Sequence, residues 1–356
     1  MDRITQIQKK LSEMQVDGLL LTSFSNMYYV SSFTGTTATV LVSKKDVYIL
    51  TDFRYQIQVA KQSTHCNFKL VDDDHPIAYW IEALCIQDDI ARLGVEEDHL
   101  TIGLYNQYQN VLSDVTLVPV DVSKLRTQKD ATEVEFIQKA IDIVDETITE
   151  IYDIIAPGMS EKEVEWKLLE KIRSKGGDGF SFSAIVASGH RGSMPHGVAS
   201  DKLIEESDMV TIDFGAKYKG YCSDLTRTFA MSSKVDPKLV ELYHIVLKAN
   251  EEAIKACGPY VPCVEVDKVA RYIISEAGYG AYFAHGTGHG LGIDIHEYPR
   301  LNQLSQAVLL PGMVVTVEPG IYIEGLGGIR IEDDILITED GYIRLTKSPK
   351  TLKYIR

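Results

Sequence analysis

The sequence predicts an α+β protein of two domains, and three observations predict it. A chain of 356 residues exceeds what one ordinary hydrophobic core supports. Its first third alternates helix and strand patterns, as a mixed sheet flanked by helices does. The remainder runs helix, helix, hairpin and then helix, helix, hairpin, with an acid closing the first strand of each hairpin.

The first domain is expected over residues 1–123. MDRITQIQKKLSEM reads as an amphipathic helix with Ile4, Ile7, Leu11 and Met14 on one face. DGLLLTS, NMYYVSSFTGTTATVLVS, DVYILTDFRY, ARLGV and VTLVPVDV follow as β-type runs bounded by turn residues. The polar stretch KLRTQKDATEVEF then changes the pattern and opens the second domain, 124–356.

From Ala131 a long helix carries Val134, Ile137, Ile141, Val144, Ile148 and Ile151 on one face and ends at Ala156-Pro157-Gly158. Ser160 and Glu163 form a capping box for a second helix, which ends at Gly176-Gly177. Asp236-Pro237 opens a third helix, expected through Leu247, and a fourth runs from about Glu265 to Ala277, stopped by Gly278. The β runs between and after them are FSAIVASG, DMVTIDFGAKYKGYCSDLTRTFAM, GMVVTVEPGIYI and GGIRIEDDILITEDGYIRLT.

Composition excludes several functions. The chain is 45% hydrophobic and 24% charged, with no low-complexity tract. A net charge of −15 without a Lys/Arg-rich run argues against nucleic acid. No apolar run approaches a membrane span, and the N-terminus lacks the apolar stretch of a signal peptide, so a cytoplasmic protein is expected. Five cysteines, an odd number without C-x-x-C spacing, fit reduced thiols better than a thiolate zinc site.

Five residues carry the chemistry: Asp213, Asp224, His289, Glu318 and Glu332. Each lies in a Gly-rich or β-branched run that aims a side chain into a cleft. Carboxylates with one imidazole suit hard or borderline divalent cations, and a pair of them activates water. M-V-T-I-D-F-G resembles M-V-V-T-V-E-P-G, and a second acid follows each, pairing Asp213 with Asp224 and Glu318 with Glu332. A duplicated unit would face the two pairs across a pseudo-two-fold axis.

Some points stay open at this level. Asp213 and Asp224 are an odd number of positions apart, which sends them to opposite faces unless the turn or a bulge resets the register. Asp213 could instead be a buried ion-pair member. Ile329, Ile331, Ile335 and Ile337 read as one face of a single strand, with Arg330, Glu332 and Asp334 on the other. Arg330 either pairs with Glu332 or orients a ligand carboxylate. His285, His289 and His296 cluster among glycines hostile to helix, so a strand or loop is expected with one of His285 and His289 on metal.

D-F-G-A-K-Y-K-G-Y-C-S-D-L-T-R-T, H-G-T-G-H-G-L-G-I-D-I-H-E-Y-P, V-E-P-G-I-Y-I and G-G-I-R-I-E-D-D, in this order, resemble the pita-bread metallopeptidases. The similarity is to their proline-specific branch, Xaa-Pro aminopeptidase (aminopeptidase P) and Xaa-Pro dipeptidase (prolidase). The first 123 residues resemble the creatinase-like N-terminal domain of that branch.

The resemblance implies two divalent ions per subunit, Mn²⁺ foremost, with Co²⁺ or Zn²⁺ as alternatives. Asp213 would hold one, Asp224 and Glu332 would bridge both, and His289 and Glu318 would hold the other. Glu318 would also carry the proton from water to the leaving nitrogen. His285 or His296 would stabilise the oxyanion, and His196 and His296 would line the proline pocket. The implied substrate is a peptide with proline in the second position, and the implied assembly a homodimer or higher homo-oligomer.

S-S-F-T-G-T-T-A-T-V and L-T-D-F-R-Y resemble bacterial aminopeptidase P, which favours the aminopeptidase, with the dipeptidase as alternative. Methionine aminopeptidase usually lacks such an N-terminal domain. Non-catalytic peptide-binding modules of this fold typically lose ligands, and here all five are intact.

Overall fold

The described residues, 3–355 of this computed structural model, open on helix α1 (Arg3–Glu13), with Ile7 and Leu11 buried, and strand β1 (Gly18–Leu21). The next segment departs from the sequence reading. NMYYVSS does not extend but belongs to helix α2 (Phe24–Ser31), because Ser23 accepts a hydrogen bond from the Asn26 amide and Ser32 closes the helix at φ 59°. Burial of Met27, Tyr29 and Val30 on its inner face outweighs their β propensity.

Strands β2 (Thr39–Ser43) and β3 (Val47–Thr51) follow, then α3 (Gln56–Gln62), β4 (Asn67–Leu70), α4 (Ile77–Gln87), β5 (Arg92–Glu96), α5 (Ile102–Val111) and β6 (Thr116–Val120). They make one sheet of order β4-β3-β2-β1-β5-β6. It is mixed, since β1–β2 and β2–β3 are antiparallel and the other pairs parallel. This unit ends at Leu125 and the second begins at Arg126; the sequence reading draws the line after Ser123.

In the second unit Asp130 and Glu133 form a capping box for α6 (Ala131–Ile154), and Ser160 and Glu163 form one for α7 (Glu161–Ser174). The strands that follow are β7 (Gly179–Phe180), β8 (Ile185–Ser188), β9 (Met209–Phe214), β10 (Ala216–Tyr218), β11 (Tyr221–Cys222) and β12 (Leu225–Ala230). Helix α8 (Pro237–Ala256) runs well past Leu247, because Ala249, Asn250, Ala253 and Ile254 continue its buried face behind polar neighbours. Then come α9 (Cys263–Glu276), β13 (Gly288–Gly290), β14 (Glu297–Leu301), β15 (Val314–Val317), β16 (Gly320–Ile323), β17 (Gly327–Arg330), β18 (Asp333–Ile337) and β19 (Tyr342–Arg344).

Each helix pair covers its own sheet. Ile143, Val144 and Ile148 of α6 and Leu168 of α7 share a core with Val186, Ile212 and Phe229 of the β12-β9-β8 sheet. Leu242 and Val246 of α8 and Val266 and Ile274 of α9 share one with Val315 and Ile335 of the β14-β13-β15-β18-β19 sheet. The run from Ile329 to Ile337 is not one strand. It breaks at Ile331-Glu332, so β17 pairs with β16 in a ribbon while β18 pairs with β15 in the sheet. No helix among the described residues is long and apolar enough to cross a membrane.

Candidate metal centre

Asp213 and Asp224 share a face of the first hairpin without any bulge. Lys219 and Gly220, at φ 47° and 77°, form a two-residue turn between Tyr218 and Tyr221, and the register runs unchanged from there to Phe214 and Leu225. Across such a turn opposed residues are always an odd number apart. Asp213 therefore pairs with Thr226, and Asp224 lies two places along the same face. Alternation counted along a single strand does not apply across the turn, so of the outcomes left open by the sequence it is the turn, and not a bulge, that brings the two acids to one face.

The second hairpin is related but not equivalent. Its register is the same at Val317 and Asp333 as at Gly320 and Arg330, which sets Glu318 opposite Glu332. Arg330 thus takes the place that Asp224 holds in the first hairpin, so the pseudo-two-fold does not relate the second acids. The hairpins lie side by side: the Glu332 amide donates to Thr226 O at 3.2 Å, and Thr228 Oγ1 donates to Arg330 O at 2.9 Å. Strand β13 adds His289, whose amide donates to Thr316 Oγ1, while the Glu318 amide donates to Thr287 O.

All five residues open into one cavity of about 800 Å³, with His196, His285, His296, Tyr322 and Arg330 also on its wall. Ligand atoms of Asp224, His289 and Glu332 come within 4.8 Å of one another. Arg330 pairs with Asp213 at 2.6 Å rather than with Glu332, and its Nε donates to Thr226 Oγ1 at 3.1 Å. Thr226 Oγ1 in turn donates to Glu332 Oε2 at 2.6 Å. Asp213 and Glu332 are therefore oriented from behind while the other oxygen of each stays free.

That free oxygen tests whether a cation fits. Asp213 Oδ1, Asp224 Oδ1 and Glu332 Oε1 are buried and accept no hydrogen bond. His289 Nδ1 lies 3.0 Å from Gly290 O, and a carbonyl only accepts, so this network assigns the proton to Nδ1. Nε2 then points a lone pair at Glu318 Oε1 and Asp224 Oδ2, at 3.3 and 3.6 Å. Burial, and then repulsion by Glu332, pushes the Asp224 carboxyl well above its usual range. Burial with Glu318 and Asp213 does the same to Glu332, and burial raises Asp213 in spite of Arg330. Converging lone pairs on desolvated acids are what a divalent cation neutralises.

The remaining histidines differ. His285 has both nitrogens engaged, Nδ1 with Gly286 O at 2.8 Å and Nε2 with Tyr322 OH at 2.9 Å. Its backbone is tied through Arg271, which is fixed by Asp267. The His296 ring packs edge-on against that of His289 at 4.4 Å, and burial pushes its pKa down to about 4, so at neutral pH it is a neutral single donor. His196 lies in a segment clamped by Glu161, which accepts from Ser188, Ser200 and Arg191.

Sequence reasoning missed Thr226, Tyr322, Arg300, Glu161 and Asp267. Only Thr226 carried a signal, standing two residues past Asp224 and therefore on its face.

Residues 135–339 match metallopeptidase family M24, and residues 3–128 match the creatinase/prolidase N-terminal domain. The chain belongs to metallopeptidase family M24, and the second unit has its pita-bread fold. It is thus a hydrolase acting on peptide bonds, of a family that depends on divalent metal. It is 37% identical over 356 residues to the Xaa-Pro dipeptidase of Pyrococcus furiosus, covering 99% of each chain. It superposes on the Xaa-Pro dipeptidase from Bacillus anthracis with a TM-score of 0.95 at 43% identity over 99% of both chains. The X-Pro aminopeptidase from Thermotoga maritima gives 0.90 at 33% identity, over 97% of this chain and 99% of that one.

Proposed function

We propose that this chain is an Xaa-Pro dipeptidase working with two divalent ions, Mn²⁺ foremost. The relatives named dipeptidase support this alternative over the aminopeptidase that the N-terminal motifs favoured. One observation carries it: Arg300 is the cross-strand partner of His289, and both line the wall of the same cavity. The free carboxylate of a dipeptide lies one residue from the scissile carbonyl, within reach of such a group. A longer peptide has no charge at that point.

Asp213, Asp224, His289, Glu318 and Glu332 would hold the ions. Ions held there would supply a water of lowered pKa and polarise the scissile carbonyl. Glu318 takes the proton of the attacking water and delivers it to the proline nitrogen. His296, neutral, donates one hydrogen bond to the oxyanion, while His285 is held in place through Tyr322. His196 and His296 flank the proline ring, and Arg330 keeps Asp213 aimed at its ion.

The test is hydrolysis of Ala-Pro beside Ala-Pro-Ala in Mn²⁺. Faster turnover of the dipeptide is expected. A preference for the tripeptide would return the aminopeptidase reading.

A further inference from the structure

Glu297 follows His296 directly, yet its carboxylate is buried on the opposite side of the chain, as alternation requires. There its two oxygens receive Lys129 Nζ at 3.0 Å, Arg126 Nε at 3.0 Å and the Asp294 amide at 3.2 Å. Arg126 also pairs with Asp294 at 2.6 Å, so one guanidinium holds the chain on both sides of His296. A Cβ on Gly292 would come within 2.6 Å of Glu297 Oε2, so the absent side chain makes the room that this carboxylate occupies. The amide of Cys222 ties Gly292 O to the first hairpin at 2.7 Å.

A buried carboxylate held by two cations is far more than a surface turn needs, and none of these residues reaches the cavity wall. What the clamp fixes is the His296 backbone, whose ring stands edge-on to His289. We propose that Glu297, gripped by Lys129 and Arg126, is a positioning residue that sets the His296 imidazole in the cavity. The proposal rests on the reading of His296 as the oxyanion donor.

The experiment combines two readouts on the full chain. In metal-free protein with isotopically labelled histidine, the His296 ring signals, identified by their loss in His296→Ala, should shift or broaden in Glu297→Gln. Kinetically, Glu297→Gln should lower kcat/KM for Ala-Pro on the order of tenfold or more, with KM changing little. Placed on His296→Ala, the same substitution should cost less than about twofold, because its effect runs through a ring no longer there.

Lys129→Met, which leaves Arg126 and the Asp294 amide on the carboxylate, carries the same readouts should Glu297→Gln not fold. Unmoved His296 signals, or equal kinetic losses in both backgrounds, would overturn the proposal. Absence of turnover on any Xaa-Pro substrate would count against the functional reading, and the ring signals would then decide the positioning alone.

Discussion

Asp213 and Asp224 face the same side of one antiparallel ribbon because the Lys219-Gly220 turn contains two residues. The turn, remote from the chemistry, therefore sets whether the first acid pair exists. Gly220→Ala keeps the loop length and should cost about 1–2 kcal/mol for an alanine in left-handed backbone, with metal affinity nearly unchanged. A glycine inserted after Lys219 should shift the register by one and abolish metal binding. Thermal unfolding and calorimetric metal titration of the two variants separate these effects.

Thr226 joins the hairpins by donating to Glu332 and accepting from Arg330. Thr226→Val preserves shape and removes both bonds. A loss of roughly 10- to 100-fold in metal affinity or activity is expected, as when the partners behind metal ligands are removed elsewhere. An affinity equal to that of the unaltered chain would show that Glu332 needs no such support.

Asp224→Asn and Glu332→Gln each replace a carboxylate proposed to serve both ions and should abolish turnover. In the metal-free state Glu332→Gln should nevertheless be no less stable than the unaltered chain, since it relieves crowding among desolvated acids. Melting curves with and without Mn²⁺ check both halves: the ion should raise the melting point of the unaltered chain and leave that of the variant close to its metal-free value.

Arg300→Met tests the carboxylate clamp. Losing a charged hydrogen bond worth about 1.5–3 kcal/mol predicts a fall of roughly 10- to 100-fold in kcat/KM for Ala-Pro. Ala-Pro-amide, without the charge, should be turned over equally by both forms. Equal losses on the two substrates would remove Arg300 from substrate recognition.

Glu297 gives a pH dependence. Burial alone would raise its carboxyl, but Lys129 and Arg126 outweigh burial and hold it below the usual 4.5. A depressed folded-state pKa contributes stability that is present above the unfolded value and lost as pH falls through the folded one. The melting-point gap between the unaltered chain and Glu297→Gln should therefore be full at neutral pH and close in acid below pH 4.5.

The sequence shows the four acids because each lies in or at the end of an apolar β run, where an ionised group needs a partner, and it shows His289 because it stands among glycines. The helices of the second unit were equally legible from their caps and stripes, though Asn250 and its neighbours hid the end of α8. What was not legible depends on register and on local capping. Ser23 turned a β-rich segment into α2, and the break at Ile331-Glu332 split an alternating run between two sheets. Arg330 paired with Asp213 across 117 positions rather than with its neighbour Glu332. Glu297, in I-H-E-Y-P, carries no sign in the sequence of its partners Lys129 and Arg126, which lie 168 and 171 positions away.

The central claim is that Asp213, Asp224, His289, Glu318 and Glu332 form one metal centre that cleaves Xaa-Pro bonds. It is tested most directly by titrating Mn²⁺ into the chelator-stripped chain while following both ion binding and Ala-Pro hydrolysis. The account predicts no hydrolysis without metal, two ions bound per chain, and activity that rises as they bind. Full hydrolysis by the stripped chain, or ions that bind without restoring it, would contradict the account.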